Sequence, residues 1–235
     1  MKNELQNYLT DTETTFKQKL EFFTNKNVSV QSHNDYSSLF QFCLYDNNSE
    51  PNPIIDICSG IILDVDNTDF NIVCATPKVI HSKTSLSGKR LRYEEKLDGT
   101  TVYLWYYKDK WQLSTKYDVQ EPKIEKLFFK YFTKKYISQL DKCYTYTFEL
   151  CSPFNKKIIN FNTVKIYFIT AIHNKTLEEE RFKNFEHMLP PSFKFADLKE
   201  AYDFVQNSDP KLLEGLIVCD AKNNKIKIKN KNFRK

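Results

Sequence analysis

The sequence predicts an α+β fold: antiparallel sheets with helices packed against them. Three observations carry this. Short β-branched and aromatic runs recur through the middle of the chain, separated by turn residues. Helical periodicity is confined to four stretches. Aromatic residues make up 15% of the chain, with 19 Phe and 14 Tyr, which is ample core material for 235 residues.

Taken in order, Leu5, Tyr8, Leu9, Phe16, Leu20 and Phe23 share a helical face, so 3–24 reads as one helix. Residues 25–52 are rich in Asn and Ser and read as loops, with a short strand near Leu39–Leu44. Strands follow at Ile54–Val65, Phe70–Ala75, Arg92–Lys96, Thr101–Tyr107 and Trp111–Thr115, the last two joined by a turn at Lys108-Asp109-Lys110. A helix over 121–141 starts at or just before Pro122. Tyr144–Cys151, Lys157–Phe161 and Lys165–Ile172 read as strands, and 176–188 and 196–206 as helices. Leu213–Cys219 and Lys225–Lys229 close the chain as a hairpin over Lys222-Asn223-Asn224. There is no internal repeat and no low-complexity linker. The expectation is one domain over 1–235, with 1–50 as an N-terminal decoration and no further C-terminal OB or helical domain.

Composition excludes several classes. No run of about 18 apolar residues is present, so no membrane-spanning helix is expected. The first residues lack the apolar stretch of a signal peptide. Six cysteines without Cys-x-x-Cys spacing read as buried thiols in a reducing, cytoplasmic setting rather than as a disulfide framework or zinc site. The four histidines have no partner at metal spacing and read as surface or packing residues. The net charge of +5 is concentrated in 222–235, which holds six Lys, one Arg and no acid; without those seven the remainder carries −2. Such a tail is either a solvated terminus or a surface for phosphates. The Asn-rich, basic composition fits an AT-rich genome, a viral one included.

The chain has only four glycines, and two of them, Gly99 and Gly215, directly follow an acid. Lys96-Leu97-Asp98-Gly99-Thr100 places a lysine at the end of a strand, ahead of a tight Asp-Gly turn. The alternative is a plain hairpin turn. A lysine that attacks phosphorus must be neutral, and lowering its ordinary pKa from about 10.4 to about 7 needs roughly 4.6 kcal/mol from burial and neighbouring charge. Glu149 stands alone in the aromatic strand Tyr146–Leu150, either edge-exposed or aimed at a cation or hydroxyl. Glu214 opens the apolar run Gly215–Val218, where a carboxylate suits Mg²⁺. Lys225, Lys227 and Lys229 share one strand face by the period of two. Their mutual repulsion is relieved by a bound polyphosphate, or they are edge lysines that block aggregation. Lys116, in Ser114-Thr115-Lys116-Tyr117, reads alone as a loop lysine.

The ordered set resembles the covalent nucleotidyltransferase superfamily of ATP-dependent ligases and mRNA capping enzymes. Lys96-Leu97-Asp98-Gly99 is similar to its nucleophile motif, Phe148-Glu149-Leu150 to its third motif, Glu214–Val218 to its fourth and Lys227-Ile228-Lys229 to its fifth. Within it the chain most resembles the RNA ligase 1 family of the phage tRNA-repair type. Thr100 and Thr101 follow Asp-Gly, where DNA ligases carry an Arg at position 101. Ser114-Thr115-Lys116 looks like that family's lysine loop. Phe148 to Lys156 is similar to its Phe-Glu-x-x-Ser-Pro-x-Asn-Arg signature. The likeness runs from about Ile54 to Lys229.

The resemblance implies an ATP-grasp-like ligase adenylylation domain. It implies ATP as AMP donor, Mg²⁺ or Mn²⁺, and RNA with 5′-phosphate and 3′-hydroxyl ends as substrate, handled by a monomer. Lys96 would carry AMP. Glu95, Asp98, Gly99, Lys116, Glu149, Lys227 and Lys229 would contact the nucleotide, with Tyr167 or Phe168 stacking on adenine. Glu214 and Glu149 would hold the metal. One departure stands out: the family's Arg-Gly pair in an earlier strand reads Ser59-Gly60 here, and serine cannot supply a bidentate cation. Lys78, Lys89, Arg90 and Arg92 are the candidate substitutes. Two other readings stay open: a capping-type or end-adenylating enzyme, and a catalytically weak nucleic-acid-binding relative.

Overall fold

The computed structural model describes residues 2–45, 51–66, 70–81, 84–88, 90–154 and 157–233. Asn155 and Lys156 of the signature stretch, Lys89, and the last two residues of the basic tail lie outside the described residues, as does the Phe16 side chain.

The chain opens with two helices, not one: α1 (Glu4–Thr10) and α2 (Phe16–Asn25). The break is local chemistry. Asn3 and Thr15 each head a capping box, with Gln6 and Gln18 returning the bond. Between them Asp11 accepts from the Glu13 amide and the Thr14 hydroxyl, so this polar run is consumed in turn contacts. Lys19, 5% exposed, donates to the Leu9 and Asp11 carbonyls at 2.8 and 2.5 Å and satisfies the end of α1.

Four antiparallel strands follow in the order β1 (Val28–Ser32), β2 (Leu39–Leu44), β3 (Ser59–Asp64), β4 (Asn71–Cys74). β1 is a strand where loop was expected, and β3 is shorter than the expected run because 54–58 turn instead. Residues 2–45 supply β1 and β2. They also supply Leu5, Leu9, Phe23, Val28, Phe42 and Leu44 of a cluster completed by Ile55, Ile57, Ile61 and Leu63.

β5 (Arg92–Glu95) precedes the hairpin of β6 (Thr100–Tyr107) and β7 (Lys110–Thr115). The two turn residues, Lys108 and Asp109, both have positive φ (43° and 62°), which matches the twist of a two-residue hairpin. The expected helix over 121–141 resolves into α3 (Pro122–Tyr131), with Pro at its start, and a single turn α4 (Lys134–Ile137). Next come β8 (Tyr144–Cys151), β9 (Lys165–His173) and the two-residue β10 (Glu179–Glu180). Residues 176–188 hold β10 and a 3-10 helix (Lys183–Met188) rather than the expected α-helix. The chain ends with β11 (Ser192–Phe193), α5 (Leu198–Asn207), β12 (Gly215–Cys219) and β13 (Lys225–Lys229). Five cysteines are buried and Cys143 is exposed; all six are free thiols.

The chain divides into two compact units. The first comprises Met1–Val79, Thr101–Phe148 and Ile169–Phe185; the second comprises Ile80–Thr100, Glu149–Phe168 and Glu186–Lys235. Strand order is β10-β9-β8-β6-β7 in the five-stranded sheet and β11-β5-β12-β13 in the last. In the first unit, Leu39, Ile62, Cys74, Tyr103, Trp105 and Val119 form a shared cluster, and Phe128 and Phe132 of the α3 segment stack near Phe148. In the second unit, Ala201 and Val205 of α5 pack on Tyr93, Leu216, Val218 and Ile228. Among the described residues no helix is long and apolar enough to cross a membrane.

Candidate active site

The second unit carries the candidate site on one face of its sheet. In antiparallel strands, directly opposed residues share a face and faces alternate along the chain. Tyr93 opposes Val218, and Leu216 opposes Ile228; these face α5. Glu94, Ile217 and Lys227 are in register on the other face. The Lys96 amide donates to the Gly215 carbonyl at 2.9 Å, extending the β5 ladder by one residue. Lys96 therefore stands beside Gly215, which opposes Lys229.

This register explains the central contact. Lys96 Nζ lies 2.6 Å from Glu214 Oε1, and Lys229 Nζ lies 3.8 Å from the same oxygen. Glu214 is 2% exposed, Lys96 21% and Lys229 59%. Two amines thus converge on a buried carboxylate while retaining access to solvent. Glu214 Oε2 is buried with no hydrogen-bond partner, an arrangement that costs free energy until a cation or donor meets it. Gly215 makes the close packing possible: a Cβ there would collide with the Ile228 carbonyl oxygen and sit 3.0 Å from Lys229 Cα.

The turn after Lys96 is fixed from two sides. Asp98, 1% exposed, accepts the Ile158 and Ile159 amides at 2.8 and 3.2 Å. This is why 157–161, expected as a strand, forms none: its amides bond a side chain. The Gly99 amide donates to Glu149 Oε1 at 3.0 Å. A Cβ at Gly99 would fall 2.8 Å from Glu149 Cγ and from the Leu150 carbonyl, and 3.0 Å from Cys151 Sγ. Asp98, Gly99 and Glu149, for which the resemblance implies nucleotide contacts, brace the loop that follows the lysine.

Glu95 and Tyr167 form a neighbouring group. Burial pushes the Glu95 carboxyl above its ordinary range, offset in part by Lys165. Burial likewise raises the Tyr167 hydroxyl, and nearby Cys151 and Glu95 add to it. Burial raises the Cys151 thiol strongly, with Glu149, Glu95 and Asp98 adding to it. Tyr167 is thus within electrostatic reach of Glu95 and Cys151, and Glu95, which opposes Leu216, alternates with Lys96 along its strand. Phe168 points to the opposite face of β9 and is wholly buried.

Lys116 belongs to the first unit, where its ammonium lies 4.9 Å from the Tyr117 ring centroid. Also there, Gly60 (φ +105°) leaves a Cβ only 2.8 Å from the Tyr103 ring, and the Ser59 carbonyl accepts from the Tyr103 hydroxyl. Of the candidate substitutes for the missing arginine, Lys78 is in the first unit and Arg90 is exposed. Arg92 shares the Lys96 face, its Nε 3.1 Å from Glu94 Oε1. Glu94 and Ile217 are face members that sequence reasoning missed; the alternation Arg92-x-Glu94-x-Lys96 is the signal that reveals them.

Among the described residues no three His, Cys, Asp or Glu side chains gather as a metal cage. The unpartnered Glu214 oxygen instead fits a Mg²⁺-type ion that takes one or two carboxylates and keeps waters and substrate phosphates as its other ligands.

The fold is similar to solved ligase structures. An archaeal ATP-dependent RNA ligase matches in two structures, form 2 and form 1, at 12% and 9% identity with TM-scores of 0.61 and 0.59, over 91% of this chain. A putative ATP-dependent DNA ligase from Aquifex aeolicus matches at 13% identity and TM-score 0.60, over 92% of this chain. The chain spans about three fifths of their length, 60%, 61% and 62% respectively. No family model and no curated protein sequence matches. At these identities the likeness establishes the fold: antiparallel sheets flanked by helices, as in the nucleotidyltransferase domains of ATP-dependent ligases.

Proposed function

We infer that this chain is a nucleotidyltransferase of the ATP-dependent RNA ligase 1 type, acting as a monomer in a reducing cytoplasm. The observation that carries the reading is the Lys96–Glu214 contact, with Lys229 beside it. Lys96, Glu214 and Lys229, drawn from three of the motifs that resemble the ligase pattern, come together within the second unit, which supports the reading.

The chemistry follows. The Lys96 nitrogen attacks the α-phosphorus of ATP; an N–P bond forms, the P–O bond to pyrophosphate breaks, and the amine loses its proton. Glu214 Oε1 is within hydrogen-bond reach of that proton. AMP then passes to the 5′-phosphate of an RNA, and a 3′-hydroxyl displaces it to seal the strand. Lys229 and Lys227 line the same face as phosphate contacts, where preplaced cations stabilise charge developing at phosphorus. Lys116 is the further phosphate contact implied by the resemblance. Mg²⁺ or Mn²⁺, when bound, would supply charge neutralisation on the phosphates; Glu214 Oε2 is the donor the chain offers, with Glu149 as the second candidate. Tyr167 is positioned better than Phe168 to stack on adenine, because Phe168 is committed to the core.

Incubation with labelled ATP and Mg²⁺, followed by a denaturing gel, tests the reading. A label that disappears in Lys96→Ala, with joining of 5′-phosphorylated RNA, is expected. A GTP label instead indicates a capping-type enzyme, and no label with either nucleotide overturns catalysis.

A further inference from the structure

The first unit carries a second aromatic feature remote in sequence from the nucleophile. Tyr45 and Tyr117 stack with ring centroids 5.2 Å apart and planes 11° from parallel. Both are large apolar groups left in solvent, at 54% and 45% exposure. Their placement is built. The Tyr45 amide donates to the Asn27 carbonyl at 3.0 Å, and Gln31 Nε2 donates to the Tyr117 carbonyl at 3.1 Å. The Tyr45 hydroxyl accepts from Ser29 at 3.4 Å. Lys116 Nζ lies 4.9 Å from the Tyr117 ring centroid, adding a cation to the stack.

Two parallel rings held this firmly, half in solvent and beside a lysine, have the makings of a stacking platform. A nucleobase has the flat π-surface to extend such a stack, and the phosphates on either side of it are drawn to the cation. A protein partner would be expected to bury the rings edge-on among apolar neighbours, and no other exposed large apolar residue accompanies this pair in the 116–120 or 28–32 segments. We propose that Tyr45 and Tyr117 form a binding platform for an unpaired base of a single-stranded polynucleotide, read by stacking and therefore tolerant of sequence. Ribose and deoxyribose strands share that chemistry. The proposal is independent of catalysis and names the form in which a strand is held, single rather than duplex.

The test is direct binding of a fluorescent single-stranded oligonucleotide, in ribo and deoxy forms, to the full chain and to Lys96→Ala. Tyr45→Ala and Tyr117→Ala are each expected to weaken binding about tenfold or more, at the scale of one stacked base. Tyr45→Phe and Tyr117→Phe, which keep the rings, are expected to bind as the parent does, and thermal melting confirms that the Ala variants are folded. A strand with abasic sites is expected to bind weakly to the parent and to lose nothing further in the Ala variants. Unchanged affinity in both Ala variants, or equal losses on normal and abasic strands, overturns the proposal. Because no labelling by ATP is measured, either result stands apart from the ligase reading.

Discussion

The amide of Gly99 and the carboxylate of Glu149, fifty positions apart in sequence, meet at 3.0 Å, and no side chain fits between them. Any β-carbon at 99 lands against the glutamate it is bonded to and against the Leu150 carbonyl. The turn that follows Lys96 is therefore held by the strand carrying Glu149.

Gly99→Ala is expected to destabilise the chain by about 1–3 kcal/mol, the usual cost of overfilling a packed site. It is also expected to slow ATP labelling of Lys96 more than the loss of folded protein explains. Chemical denaturation and labelling rates on the same sample separate the two effects. Labelling at the parent rate with unchanged stability would contradict the packing described for this turn.

Glu214→Gln keeps the size of the side chain and removes its charge. Labelling is expected to fall by about 10²–10⁴-fold, the range for losing a proton-transfer group. The Mg²⁺ concentration giving half-maximal labelling is expected to rise. A metal titration at fixed ATP reads both, and an unchanged midpoint would remove Glu214 from metal binding.

Asp220 gives a pH dependence. Its carboxylate, at the start of the final hairpin, accepts from the Ser87, Lys222 and Asn224 amides and from the Ser87 hydroxyl and the Asn224 side chain. The Asn224 side-chain bond, followed by the Ser87 amide, holds this carboxyl well below the ordinary aspartate range. A depressed acid stabilises the folded form above its unfolded pKa of about 3.9, and this is lost as pH falls through the folded value. Melting curves are therefore expected to show the parent losing stability on acidification below about pH 4 more steeply than Asp220→Asn, which begins less stable at neutral pH. Parallel pH profiles would show that this hydrogen-bonded carboxylate is not linked to folding.

Much of the site was legible because it is encoded by short spacing. Lys227 and Lys229 share a face by the period of two, and Lys96 stands at the end of a strand before Asp-Gly, features visible in a dozen residues. The strand of Glu149 was equally plain from its aromatic alternation. What stayed hidden depends on distance in sequence or on competing local bonds. Nothing in Lys157–Phe161 announces that its amides serve Asp98, sixty residues earlier, so its apolar pattern reads as a strand. The run of Thr and Asp at 10–15 interrupts an apolar stripe that otherwise continues across it, and two capping boxes decide for two helices. Val28–Ser32 is polar at alternate positions and becomes a strand because Leu39–Leu44 pairs with it. Arg92 was legible only as one of four candidate cations, and Glu94 was not singled out, until register set both on the face of Lys96.

Asn230, directly after Lys229, has a consequence for any shortened version of this protein. It is 2% exposed; its side chain donates to the Val205 and Ser208 carbonyls at the end of α5, and its amide donates to the Glu214 carbonyl. One residue thus latches the helix, the acid and the terminal lysine strand together. A stop codon or protease cut just upstream of it would spare every residue named for chemistry and still unfasten the frame that holds Lys229 near Glu214.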